Sequence, residues 1–129
     1  MKQLLFLFLF IPLFSHAQYQ DLDTVKAPAQ YDNLYVHPVA SDSLSSSFVI
    51  FIKKEVKKHK HATHTENVVI LEGEGEMFLG EKIIKVKKGD IIFIPMNTPH
   101  SLKVTSATPV KVLSIQSPKF DGKDRIFIE

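Results

Sequence analysis

The sequence predicts an all-β domain, a sandwich or barrel of short strands, on three observations. Past residue 30, apolar runs of three to six residues rich in Val, Ile and Phe recur along the chain, the composition that suits a pleated, half-buried surface. Turn signals at Gly73-Glu74-Gly75, Gly80-Glu81 and Gly89-Asp90 separate them. No twelve-residue window after the first seventeen residues keeps a helical period. With 129 residues, 44% hydrophobic and 23% charged, the chain suits one core rather than two.

The first segment stands apart from that core. Lys2 is a positive start, Leu4 to Phe14 is apolar but for Pro12, and Ser15-His16-Ala17 places small residues at the −3 and −1 positions of a cleavage site. Residues 1–17 are therefore expected to be a signal peptide, with the rest periplasmic or secreted. A membrane anchor is the weaker alternative, because a span needs about 20 apolar residues and polar sequence begins at Gln18. Residues 18–30 mix Asp, Thr, Pro and Ala without a period and read as an arm or linker, leaving 31–129 for the domain.

Within the domain, Asn33 to His37 reads as a first strand stopped by Pro38, followed by a serine-rich loop from Ser41 to Ser47 and a strand over Phe48–Ile52. Further strands follow over Val68–Leu71, Met77–Leu79, Ile83–Val86, Ile91–Ile94, Ser101–Val104 and Val110–Ile115. Glu72, Glu74 and Glu76 alternate with glycine and are expected as exposed hairpin charges.

Charge argues for no macromolecular partner. The formal net charge is +2, and the local run Lys53, Lys54, Lys57, Lys58, Lys60 reads first as a solvated strand face. Without a basic helix or aromatics among those lysines, nucleic-acid binding is not expected. The chain has no cysteine, so any metal chemistry falls to histidine and carboxylate.

Four of the six histidines lie at 59, 61, 64 and 100. Residues two apart on a strand share a face, so His59 and His61 can aim two imidazoles at one point. Glu66 opens the next strand on the face shared with Val68 and Ile70, and a turn over Ala62–Thr65 would bring it beside the pair. His100, after Pro95 and Pro99, could close the site from another strand. Three imidazoles and a carboxylate suit Mn, Fe, Co, Ni or Zn rather than Ca or Mg, and leave positions open for a ligand. His64 is expected to face solvent, with replacement or support of a neighbouring ligand as alternatives. Lys57 shares strand parity with His59 and is the candidate substrate-facing charge, unless a bulge shifts the register.

The run His59-Lys60-His61, four residues, Glu66, six residues, Gly73 resembles the first motif of the cupin superfamily, and Gly89, five residues, Pro95, His100 resembles the second. The likeness covers roughly Leu34 to Ile115, with a short spacer between the motifs like that of small single-domain microbial cupins. It implies a jelly-roll barrel (a double-stranded β-helix) and one divalent metal on His59, His61, Glu66 and His100. Asn97 stands where the second motif commonly has glycine, and is expected to take the same left-handed backbone. Val104 stands where an asparagine is common and is expected to remove a polar group near the cavity mouth. The family includes dioxygenases, isomerases and lyases, so the resemblance implies a metal-dependent enzyme on a small oxygenated substrate without choosing the reaction. A cation held by three neutral imidazoles and one carboxylate keeps a net positive charge, so the site is expected to favour anions. A non-catalytic metal- or sugar-binding module is the rival reading, and self-association through sheet edges, as in a homodimer, is a third.

Overall fold

The computed structural model describes residues 17–129, so the apolar stretch expected to act as a signal peptide lies outside the described residues. Ten strands follow a short 3-10 turn at Leu22–Thr24: β1 Leu34–Ser41, β2 Ser46–Ile52, β3 Glu55–Lys60, β4 Thr65–Glu72, β5 Glu74–Leu79, β6 Lys82–Lys87, β7 Ile91–Ile94, β8 His100–Val104, β9 Val110–Ser117 and β10 Ile126–Phe127. They form two antiparallel five-stranded sheets, in the orders β1-β2-β9-β4-β7 and β10-β3-β8-β5-β6. The jelly roll is thus two stacked sheets with free outer strands, and its hydrogen bonding does not close into a continuous barrel.

The strand alternation builds the core between the sheets. Val68 and Ile70 of β4, Ile92 and Ile94 of β7, and Val110 and Val112 of β9 meet Met77, Val86 and Leu102 of the other sheet. Each such side chain contributes about 1.5–3 kcal/mol when fully withdrawn from water. On β2 the two faces part company, since Ile52 joins this core while Val49 and Phe51 turn outward. That outer face is covered by residues of the arm, with Val25 buried against Val49 and Phe51. Lys111, only 1% exposed, donates from Nζ to the Leu22 carbonyl at 2.8 Å and lies 3.2 Å from Glu72 Oε1. A buried ammonium therefore fastens the arm to β9.

Two local expectations need correction. Pro38 does not stop the first strand, which runs on to Ser41 through a bulge between Pro38 and Ala40. β1 is an edge strand, where a residue without an N–H is tolerated. The serine loop is accordingly shorter, with Ser41 and Ser46 paired across the hairpin and Asp42 accepting from the N–H groups of Leu44 and Ser45.

Candidate metal centre

His59 and His100 face each other as cross-strand partners on β3 and β8, their rings 4.2 Å apart. His61 lies just past β3, and Glu66 reaches in from β4 of the opposite sheet. All four are buried, at 2–7% exposure. The expected parity on β4 is observed, with Glu66, Val68 and Ile70 inward.

The ring tautomers follow from the main chain. Nδ1 of His59 faces the Lys57 carbonyl at 2.8 Å, that of His100 the Thr98 carbonyl at 3.0 Å, and that of His61 the Asp124 carbonyl at 2.5 Å. A carbonyl only accepts, so each Nδ1 carries the hydrogen and each neutral ring turns an Nε2 lone pair inward. Nε2 of His61 and of His100 lie 3.4 and 3.5 Å from Glu66 Oε2. Both nitrogens are buried with no hydrogen-bond partner. Lone pairs facing a carboxylate at this distance repel unless a cation or proton lies between them. Donors held about 2.1 Å from one ion stand about 3–3.5 Å apart, which these spacings match. His59, His61 and His100 form one group of neighbouring donors, which Glu66 adjoins through His61 and His100, and this set fits a divalent ion.

Glu66 is held from behind by β9. Ser114 Oγ donates to Glu66 Oε1 at 2.5 Å, and Gln116 Nε2 lies 3.5 Å from the same oxygen and donates to Ser114 Oγ at 3.2 Å. Burial alone would raise the Glu66 carboxyl, but the ring nitrogens of His100 and His61 and the Ser114 hydroxyl outweigh it and hold Glu66 well below the usual carboxylate range. Burial, then His100, pushes His59 down to about 4. His61 is also disfavoured as a cation by burial, yet Glu66 and the Asp124 carbonyl prevail and raise it.

Sequence reasoning missed the segment beyond β9. The Asp124 carboxylate accepts from the N–H of Ala62 at 2.7 Å, the N–H of Thr63 at 2.8 Å and Thr63 Oγ1 at 2.7 Å, and lies 2.8 Å from His64 Nδ1. Nothing in the local sequence of Asp121–Arg125 signals this, because the partners are some sixty positions away. Ser114 and Gln116 did leave a signal: they continue the inward alternation of Val110 and Val112 with polar side chains.

His64 is corrected by the same contact. It is 1% exposed rather than solvent-facing, stacked 4.1 Å from His61, and its Nδ1 is engaged by Asp124. His61, His64 and Asp124 form a second group of neighbouring donors, but the Asp124 oxygens are taken up by the turn, so this group supports the first. Lys57 is exposed and absent from the cavity wall, because the register of β3 slips between Val56 and His59 and puts Val56, not Lys57, on the inner side. Val104 packs against the core opposite Gly75 and does not line the cavity. Asn97 has the expected left-handed backbone, φ 62°, and its N–H donates to the His61 carbonyl at 2.6 Å.

The site opens into a cavity of about 70 Å³ whose walls include Val36, Ile50, Val56, Met77 and Leu102, with His59, Glu66, His100 and Arg125 as its polar members beside Ser101. Residues 48–116 match the cupin domain family. The chain is a cupin.

Its relatives agree on the fold. A protein described only as uncharacterized, from Aquifex aeolicus (strain VF5), is 40% identical over 84 residues, which is 65% of this cupin and 69% of the relative. A double-stranded β-helix protein from Klebsiella pneumoniae superposes with a TM-score of 0.74 at 19% identity, covering 88% of this chain and 99% of that one. KdgF from Halomonas sp. superposes with a TM-score of 0.72 at 16% identity, covering 83% and 98%. At such identities the structural likeness speaks for the fold alone.

Proposed function

We propose that this cupin is an exported, metal-dependent enzyme acting on a small oxygenated anion. The observation that carries the reading is the convergence of unpartnered, buried Nε2 lone pairs on the Glu66 carboxylate. His59, His61, Glu66 and His100 would hold one divalent ion of the Mn, Fe, Co, Ni or Zn type. Such an ion supplies Lewis acidity, or oxygen chemistry if it is redox-active. The chain's own part is to orient three rings through their Nδ1 hydrogens, to fix Glu66 through Ser114, and to exclude bulk water with the apolar cavity walls. Because the cavity offers no acid–base pair apart from these donors, a binding module that performs no turnover remains the rival. Oxygen uptake and product analysis with small acids and sugars separate the two.

Metal content is the direct test. Elemental analysis at neutral pH should find about one equivalent in the wild type, and His59→Ala and His100→Ala should each lose most of it; full retention by both refutes the ligand set. Occupancy should fall in acid. His61, whose pKa is raised, takes a proton at higher pH than His59, which is pushed down to about 4.

Export is the second part of the proposal and rests on residues 1–17. The intact mass of the periplasmic or secreted form should correspond to a chain beginning at Gln18. Recovery of the full-length chain in membranes refutes it.

A further inference from the structure

Arg125 is a cation with no assigned partner. It lines the same cavity as His59, Glu66 and His100, and its Nε is buried without a hydrogen-bond acceptor. Among the described residues its guanidinium makes no hydrogen bond or ion pair and lies over no aromatic ring. Nearby carboxylates are committed elsewhere: Asp124 to the Ala62–Thr63 turn and His64, Glu66 to Ser114 and the histidines. Arg125 as a whole is half-buried, so the cost falls on Nε, and folded proteins rarely leave a buried donor of this kind without an acceptor.

Its position is nevertheless well defined. On one side Asp124 is fastened by three hydrogen bonds and His64. On the other, Ile126 and Phe127 pair with Lys60 and His59 as β10. The backbone on both sides of Arg125 is thus fixed to the strand and turn that carry His59 and His61, and the guanidinium is placed beforehand rather than gathered on binding.

We propose that Arg125 binds the carboxylate of a small organic acid, so that the acid's head group lies between the guanidinium and the His59–Glu66–His100 cluster while its remainder meets Val36, Ile50 and Val56. This rests on reading the cavity as the ligand site and adds the ligand's class to it. The planar fork of arginine matches the two oxygens of a carboxylate and supplies the acceptors that Nε lacks. A phosphate fits less well, because its further oxygens would face walls made mostly of Val, Ile, Met and Leu, with Ser101 as the one hydroxyl among the lining residues. The cavity of about 70 Å³ suits a small acid of a few heavy atoms.

The test compares lactate with lactamide, which share a shape and differ in charge, by calorimetric titration of metal-loaded and metal-free full-length protein. Wild type should bind lactate at least about tenfold more tightly than lactamide. Arg125→Gln should abolish most of that preference while metal content and lactamide affinity stay within about twofold of wild type and the melting temperature moves by less than about 3 °C. Arg125→Lys, which keeps the charge but not the fork, should recover part of it. Wild type without a preference for the acid, equal losses for acid and amide in Arg125→Gln, or tighter binding of inorganic phosphate than of lactate would each overturn the assignment. The two readings fail separately. An Arg125-dependent preference in protein that takes up no metal sustains the arginine and refutes the metal centre, whereas full metal content with unchanged lactate affinity in Arg125→Gln does the reverse.

Discussion

Asp124→Ala is expected to cost about 1–2 kcal/mol of fold stability and to lower metal occupancy at neutral pH, although Asp124 is outside the proposed four-residue ligand set. The carboxylate takes two main-chain N–H groups and the Thr63 hydroxyl, and its side chain is only 8% exposed. Removing it leaves the part-buried Ala62 N–H without its acceptor, at about 1–2 kcal/mol, whereas the exposed Thr63 groups can turn to water. The same residue's carbonyl orients His61, so a loosened segment also loosens a ligand. Denaturant unfolding followed by circular dichroism, with elemental analysis, measures both effects; Asp124→Asn should lie between, because it keeps an acceptor and loses the charge. A wild-type midpoint and full metal content in Asp124→Ala would contradict this account.

The acid limb of stability follows from the same contacts. Burial alone would raise Asp124, but the Thr63 and Ala62 donors and His64 outweigh it and hold its carboxyl well below the ordinary value. Glu66 is depressed as well. A depressed carboxyl contributes its stability in full above the unfolded-state pKa, about 4, and loses it as pH falls through the folded-state value. Wild type should therefore lose stability progressively below about pH 4, and Asp124→Asn should show a shallower decline there.

Gly73→Ala is expected to be the most damaging small substitution in the fold, at about 3 kcal/mol or more. Gly73 joins β4 to β5 with φ at +81°, and a Cβ there would lie 2.8 Å from the Pro109 carbonyl oxygen and 2.9 Å from Val110 Cα. Both neighbours are backbone, so neither can swing away, and left-handed strain adds about 1–2 kcal/mol for a residue with a Cβ. Gly89, the other motif glycine, separates the two effects. Its φ is +95°, but nothing lies within 4 Å of its would-be Cβ, so Gly89→Ala should show the backbone strain alone, about 1–2 kcal/mol. Urea midpoints for the two variants test the contrast, and equal losses would remove the steric part of the argument.

The sequence made legible what depends on spacing and alternation. His59, His61, Glu66 and His100 could be grouped because strand parity and two glycine-anchored motifs set where they point, and the left-handed turn at Asn97 could be read from residue type. Features that depend on distant pairing were hidden. Lys57 has the parity of His59 in sequence, but the slip in β3 against β8 reverses it. Pro38 reads as a terminator unless its strand is known to lie at a sheet edge. His64 looks solvent-exposed until Asp124 is brought against it, and Arg125 is one basic residue among sixteen until β10 docks on β3.

The fastening of His61 by Asp124 spans 63 positions, and this sets an order of events during synthesis. The ribosome delivers His59, His61 and Glu66 well before residue 124. Until then the turn over Ala62–Thr63 lacks its acceptor and the His61 ring lacks the carbonyl that fixes its tautomer. Non-local pairings of this kind form late, after the chain that separates them has been made. The proposed ion would therefore find its complete cage only after translation of the segment that secures it, in whichever compartment folding is completed. A metal held there would then reflect the supply in that compartment at that moment, as well as the intrinsic preference of three imidazoles and a carboxylate.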